Sequence, residues 1–268
     1  MPLSARLQAI PDWLSAFLVF ALFASFGIGL LLIVRRFVHH SVLKPHNDIT
    51  GFVFATISVI YGVMLAFVVS NVWEQYNEAS KITAQESSSA FALYRNLMLY
   101  PNTVETDKAI AALQDFTLLI VKKEFPAIQS MRWDFKSVPD KTTQSAAYHL
   151  HEAIRRIVPE NLHQQSLFNN ILQEADSLTE LRLQRLLMAR RDLLGEIWFM
   201  MIMGGLITVG FVSLFGHENI RLHIILASLL SIITGSAVYV AVNLNHPFLG
   251  DASIRPDGYE YLITIAKW

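Results

Sequence analysis

The side chains able to do chemistry are scattered along this chain rather than gathered. Its 268 residues include nine histidines and 22 carboxylates but no cysteine. Disulfides, thiolate nucleophiles and cysteine-ligated metals are therefore excluded. His149 and His151 stand two apart on a predicted helix, so their side chains diverge by about 200° and cannot share an ion. His39 and His40 are adjacent in a short loop with His46 close by, and read as interfacial polar residues. Glu152, Glu160, Glu174 and Asp176 fall on solvated helix faces, with nothing pairing them for acid–base work. No HExxH, GxSxG, phosphate loop or GxGxxG occurs. The expectation is that the protein is not an enzyme and has no catalytic residue, metal site or cofactor. A net charge of −1 offers no field for nucleic acid.

A pattern does run along one apolar segment and its continuation. Val59, Val63 and Phe67 recur at helical spacing and give way to Ser70, Asn71, Glu74, Asn77 and Glu78. An apolar constriction can gate by dewetting, and amide or carboxylate groups at a mouth can select ions, so these are the candidate pore-lining residues. Ionisable groups at mid-membrane depth mark proton-coupled and ion-coupled pathways, and this chain has none. Passive conduction fits; coupled transport does not.

The elements that must position these residues are four long stretches, Trp13–Val34, Ile49–Trp73, Ile197–Gly216 and Ile224–Asn245, free of Asp, Glu, Lys, Arg and His. Each is long enough to cross a hydrocarbon core of about 30 Å as a helix. The charges, 16% of the residues against 53% hydrophobic, collect between Glu74 and Glu196. The apolar run from Trp13 is too long for a signal-peptide core and ends in Arg35-Arg36, so it reads as a retained membrane helix. The predicted organisation is a first membrane hairpin (1–73), a helical extramembrane domain (74–196), a second hairpin (197–245) and a tail (246–268). The fold class is an all-α membrane protein with four transmembrane helices.

Helices two and three are expected to continue into the extramembrane domain. No Pro lies between Pro45 and Pro101, which predicts one helix from about residue 50 to 99; none lies between Leu162 and Leu206, which predicts a second helix entering the membrane near Glu196. Between them, helices are predicted over Thr103–Lys123, ending before Pro126, and over Thr142–Val158, with a loop at Ser137–Asp140. Small residues recur every four positions in three membrane helices: Ala21, Ser25 and Gly29; Ser58, Gly62 and Ala66; Ala227, Ser231 and Gly235. Such stripes allow close backbone approach, either within one subunit or between subunits around an axis. On the continuations, Glu86 lies 13 residues after Trp73 and Arg185 12 residues before Ile197, with Arg95 and Glu174 matched in the same way. Equal heights on antiparallel helices predict two ion pairs, Glu86 with Arg185 and Arg95 with Glu174, with Arg182 as a substitute partner for Glu86.

Several of these residues resemble the bacterial bestrophin-like family. They are Gly51-Phe52 and the run from Ile60 to Tyr76, Glu86 with Tyr94-Arg95, Arg182 to Leu186, Leu214-Phe215-Gly216, and Asn245 to Gly250. The resemblance covers nearly the whole chain in order. It implies a homo-oligomer in membrane lipid that conducts inorganic ions, pentameric like the bestrophin anion channels, in the bacterial inner membrane. No bestrophin calcium-binding run of Asp and Glu maps onto this sequence, and the mouth formed by Glu74, Asn77 and Glu78 leaves the ion open. Around the spans, Arg6, Lys81, Arg182, Arg185, Arg190, Arg191 and Arg255 outnumber Arg35, Arg36, Lys44 and Arg221, which predicts a cytoplasmic central domain. The alternative reading, from another class, is a membrane-anchored sensor or assembly scaffold whose helical domain binds a partner.

Overall fold

The structure, a computed structural model, describes residues 11–101, 103–129 and 141–268. The expected loop at Ser137–Asp140 lies outside the described residues, as does Arg6. Helix α1 (Asp12–Phe37) closes on Arg35 and Arg36, cations that complement its negative end. A short α2 (His40–Leu43) and a 3₁₀ turn (Lys44–His46) lead into α3 (Asn47–Leu99), 53 residues without interruption. Then follow α4 (Val104–Leu119), a π turn (Ile120–Glu124), α5 (Phe125–Gln129), α6 (Lys141–Arg155), α7 (Leu162–Met188), α8 (Gly195–Phe211), α9 (Ile220–Leu244) and α10 (Asp257–Ala266). No strand occurs among the described residues. Four helical stretches are long and apolar enough to cross a membrane: Trp13–Phe37, His40–Leu99, Gly195–Leu214 and Ile220–Leu244.

The chain divides into two compact units. The first comprises residues up to Tyr76 with Asp192–His246, the second Asn77–Arg191 with Pro247–Trp268. In the first unit Val19, Phe23, Tyr61, Leu65, Met201, Val209 and Val238 form the core. Glycines set its close approaches. A Cβ on Gly205 would stand 2.8 Å from the Tyr61 hydroxyl and 2.9 Å from Phe23, so Tyr61 reaches past α8 and donates to the Met201 carbonyl at 3.1 Å. At the short-loop end, Asn47 exchanges two hydrogen bonds with the Gly216 backbone, at 2.8 and 3.2 Å, where a Cβ on residue 216 would strike the Lys44 backbone.

In the second unit, Leu93, Leu97, Leu113, Phe116, Ile120, Leu150, Ile154, Ile171 and Leu178 are buried together with the later part of α3, α4, α6 and α7. Caps fix two starts: Thr103 accepts from the Thr106 amide at 3.2 Å, and Asn161 from the Gln164 amide at 2.9 Å.

Two expectations need correction. The predicted helix from Leu162 into the membrane is broken, because α7 stops at Met188 and α8 starts at Gly195. The break is a tertiary effect. The Leu193 amide donates to Asn245 Oδ1 at 3.1 Å, Asn245 Nδ2 donates to Asp192 at 2.6 Å, and Leu194 is extended at ψ 142°. A side chain from the end of α9 thus removes an amide from the helical ladder, and Gly195 at the start of α8 is the local sign of the break. Conversely, the segment expected to end before Pro126 runs through it. The π turn places the Phe125 amide on the Ile120 carbonyl, five residues back. That wider register accommodates a proline, which has no amide and crowds the carbonyl four residues earlier in an α-helix.

Candidate functional site

The face of α3 within the first unit is split sharply. Tyr61, Leu65 and Val72 are buried, whereas Val59 (65% exposed), Val63 (54%) and Phe67 (74%) stand clear of their own protomer. Ser70, Asn71 and Glu74 continue the exposed side, and Asn77 and Glu78 are exposed farther along the same helix. Asn71 accepts a hydrogen bond from Gln75 at 2.6 Å, and Glu78 meets Arg191 at 3.5 Å. In its most apolar window α3 is 11% buried, against 39% for α8 and 33% for α9. Within the first unit Val59, Val63, Phe67, Ser70, Asn71 and Glu74 therefore share the exposed side of α3, with Phe67 and Asn71 at its edge, lining a groove with Leu193, Ile197 and Met200.

The small-residue stripes divide in two. On α9, Ala227, Ser231 and Gly235 are buried, and a Cβ on Gly235 would lie 3.3 Å from Phe20 of α1. On α3, Gly62 and Ala66 are exposed and Ser58 is half-buried; a Cβ on Gly62 would meet nothing within 4 Å. On α1, Ser25 is exposed, Ala21 half-buried and Gly29 open. The packing position on α1 is Gly27, where a Cβ would stand 2.6 Å from Val209 and 2.8 Å from Ser231. Gly27, Gly204 and Gly205 escape a reading based on four-residue spacing, because most of the side chains they pack on, Val209, Tyr61 and Phe23 among them, are large.

The second unit holds its charges inside. Glu86 on α3 and Arg185 on α7 are both fully buried, and Arg185 Nε donates to Glu86 Oε2 at 2.5 Å and Nη2 to Oε1 at 3.1 Å. Arg185 also pairs with Glu124 of the π turn, and Arg182 Nε donates to the same carboxylate at 2.9 Å. Two carboxylates and two guanidiniums thus form one neutral chain. The Arg185 guanidinium lies 4.5 Å from the Phe125 ring centre, and Arg182 5.7 Å from that of Phe116. Burial opposes ionisation of Glu124, but Arg185 and Arg182 outweigh it and hold the carboxyl below its usual range. Burial likewise opposes the charge on Arg185, and Glu86 and Glu124 overcome it and raise its pKa. Tyr259 is buried beside them; burial first, then the Glu86 carboxylate, push its phenol well above the ordinary value. With the Glu124 carboxyl held down and Arg185 and Tyr259 pushed up, the cluster holds helices rather than moving protons.

Arg95 and Glu174 are not brought together: Arg95 is exposed, Glu174 half-buried, and no ion pair joins them among the described residues. Sequence reasoning missed Glu124. Its signal was present, since Phe116, Ile120 and Glu124 follow one another at four-residue steps along a buried stripe, leaving a lone carboxylate at a core position. Among the described residues, no group of three or more His, Asp and Glu is placed to hold a metal ion.

A bestrophin-like domain is recognised over residues 21–259. The fold is similar to the crystal structure of a point mutant of a bacterial bestrophin homolog from Klebsiella pneumoniae, with a TM-score of 0.70 over 93% of this chain and 99% of that one, at 11% identity. No curated protein matches the sequence.

Proposed function

The chain belongs to the bestrophin-like family, and from that premise we propose that it is an oligomeric ion channel of the bacterial inner membrane, conducting passively with α3 lining the pathway. The observation that carries this reading is the uncovered side of α3. Val59, Val63 and Phe67 supply an apolar constriction, and Ser70, Asn71 and Glu74 a polar mouth, all on the exposed side of α3. Symmetry-related copies around an axis would cover that side and bring these residues into rings. The open Gly62 and Ala66 supply close approach between copies. By analogy with bestrophins the ring is a pentamer and the second unit cytoplasmic. Glu78 has Arg191 as a partner, whereas Glu74 has no ion pair among the described residues, so Glu74 is the carboxylate that tunes which ion passes.

Purified protein in planar bilayers is expected to show discrete conductance, blocked by Ser70→Phe and altered in ion preference by Glu74→Gln. Silence across several ions from a well-folded oligomer would overturn the reading. A monomer in mild detergent would favour the anchored sensor or scaffold instead.

A further inference from the structure

A groove of about 550 Å³ lies between α4 and α6 in the second unit and ends at the π turn. Leu118, Leu119 and Ala146 give it an apolar stretch, Thr142, Ser145 and His149 line it from α6, and Lys122 and Lys123 stand at its π-turn end. Both lysines are exposed, and neither has an ion-pair partner among the described residues. Asp115 also lines the groove, seven residues before Lys122 on the α4 side. At 1.5 Å per residue this puts about 10 Å between unlike charges along the groove. We propose that the groove binds a single-chain amphiphile with one anionic head, a carboxylate of the fatty-acid class. The head sits on Lys122 and Lys123, and the tail runs along Leu118, Leu119 and Ala146.

Three features select this occupant. The volume is that of a small-molecule site, Leu118, Leu119 and Ala146 offer a tail apolar contact, and both lysines stand at one end. Asp115 disfavours a second anionic group along the tail, so a dicarboxylate or a nucleotide is rejected. The π turn connects the site to the rest of the unit. Lys122 and Lys123 immediately precede Glu124, whose carboxylate holds Arg182 and Arg185, so the head group sits next to the residue that ties α7 in place. Single-turn π insertions of this kind recur at functional positions.

The test uses the full-length protein and dodecanoate carrying a diazirine in its chain. Photolabelling is expected in the α4–π-turn and α6 peptides, competed by dodecanoate but not by dodecanol or dodecyltrimethylammonium. Across a series from octanoate to dodecanoate, each added methylene should tighten competition about fourfold until the groove is full. Lys122→Glu with Lys123→Glu should lower labelling at least tenfold, with the unfolding midpoint unchanged because neither lysine supports the fold. Equal competition by dodecanol, labelling confined to the membrane helices, or unchanged labelling in the double variant would overturn the proposal. The competition series on the unaltered chain decides it even where the double variant misfolds.

Discussion

The two units solve opposite packing problems. The first is built almost without charge inside: α1, α8 and α9 approach through Gly27, Gly205 and Gly235, and a long side of α3 stays uncovered. The second buries Glu86, Glu124, Arg182 and Arg185 in its centre and covers them with Phe116, Phe125 and Tyr259. In lipid the outside is as apolar as the inside, so shape fit and glycine contact must do the sorting. In water the apolar core forms readily but is permissive about register, and an ionic cluster in which every charge has an opposite partner admits few alternative alignments. Whether buried ions supply specificity is a hypothesis for any given protein; here the neutral two-by-two pairing motivates it.

The sharpest way to break the contrast is to remove one ion. Arg185→Met strips Glu86 and Glu124 of a shared partner and should destabilise the second unit by about 3–5 kcal/mol in urea unfolding. Arg185→Lys should recover little of that, because an ammonium cannot make the forked contacts. Glu86→Arg with Arg185→Glu should recover only part of the loss, since the swap sets a carboxylate against Glu124. Full rescue by the swap would mean that Glu124 is not energetically part of the cluster.

The corresponding experiment in the first unit concerns space. Gly205→Leu places carbon where Tyr61 Oη, Phe23 and Thr234 already stand, at 2.8, 2.9 and 3.1 Å from a Cβ, and should cost about 1–3 kcal/mol. Gly62→Ala, with nothing within 4 Å, should leave protomer stability unchanged or raise it by up to about 1 kcal/mol through helix propensity. If the α3 side is a contact between copies, bulky Gly62→Trp should instead reduce the oligomer seen on size exclusion. An unaffected oligomer would argue that lipid covers that side.

These contrasts explain what the sequence could say. Uncharged runs of about 20–25 residues specify membrane helices by length alone, and the absence of Pro and Gly from Glu74 to Leu99 specifies the continuation of α3. Two features were hidden because they depend on partners distant in sequence. The break at 189–194 is made by Asn245 from another helix, and the passage of α4 through Pro126 requires a register change that a helical periodicity cannot display. Within the protomer the small-residue stripe of α9 is buried, while on α1 it is Gly27 rather than Gly29 that meets a neighbour.

Acid should separate the units as well. His246, at the end of α9, is buried beside Asp192 and Asn245; burial lowers its pKa from 6.5, and Asp192 only partly opposes this. A depressed histidine contributes stability in its neutral form, so that contribution shrinks as pH falls below 6.5, where the unfolded chain takes up a proton the folded one refuses. Glu124 has a depressed carboxyl pKa, so its contribution persists through that range and is lost only as pH drops from 4.5 toward the lower folded value. The protection factor for hydrogen exchange near Leu193, taken against the intrinsic rate at each pH, should therefore fall between pH 6.5 and 5 while that of α7 holds. His246→Gln should flatten the first response, and equal loss of protection in both regions would contradict the assignment.

The smallest expected effect concerns the pair that height alone suggested. Arg95 and Glu174 sit at matched counts from the membrane helices, yet nine residues separate Glu86 from Arg95 on the continuous α3, which turns them about 180° apart. The eleven residues from Glu174 to Arg185 on α7 amount to nearly whole turns, about 20° apart, so Glu174 follows the Arg185 side while Arg95 points away from the Glu86 side. Height matching therefore works for one pair and fails for the other for a single azimuthal reason. Arg95→Ala should change stability by less than about 0.5 kcal/mol, as should Glu174→Ala. Their double variant should be additive, whereas Glu86 and Arg185 should show strong coupling in the same cycle. A coupling of more than about 1 kcal/mol between Arg95 and Glu174 would require α3 and α7 to present different faces from those described.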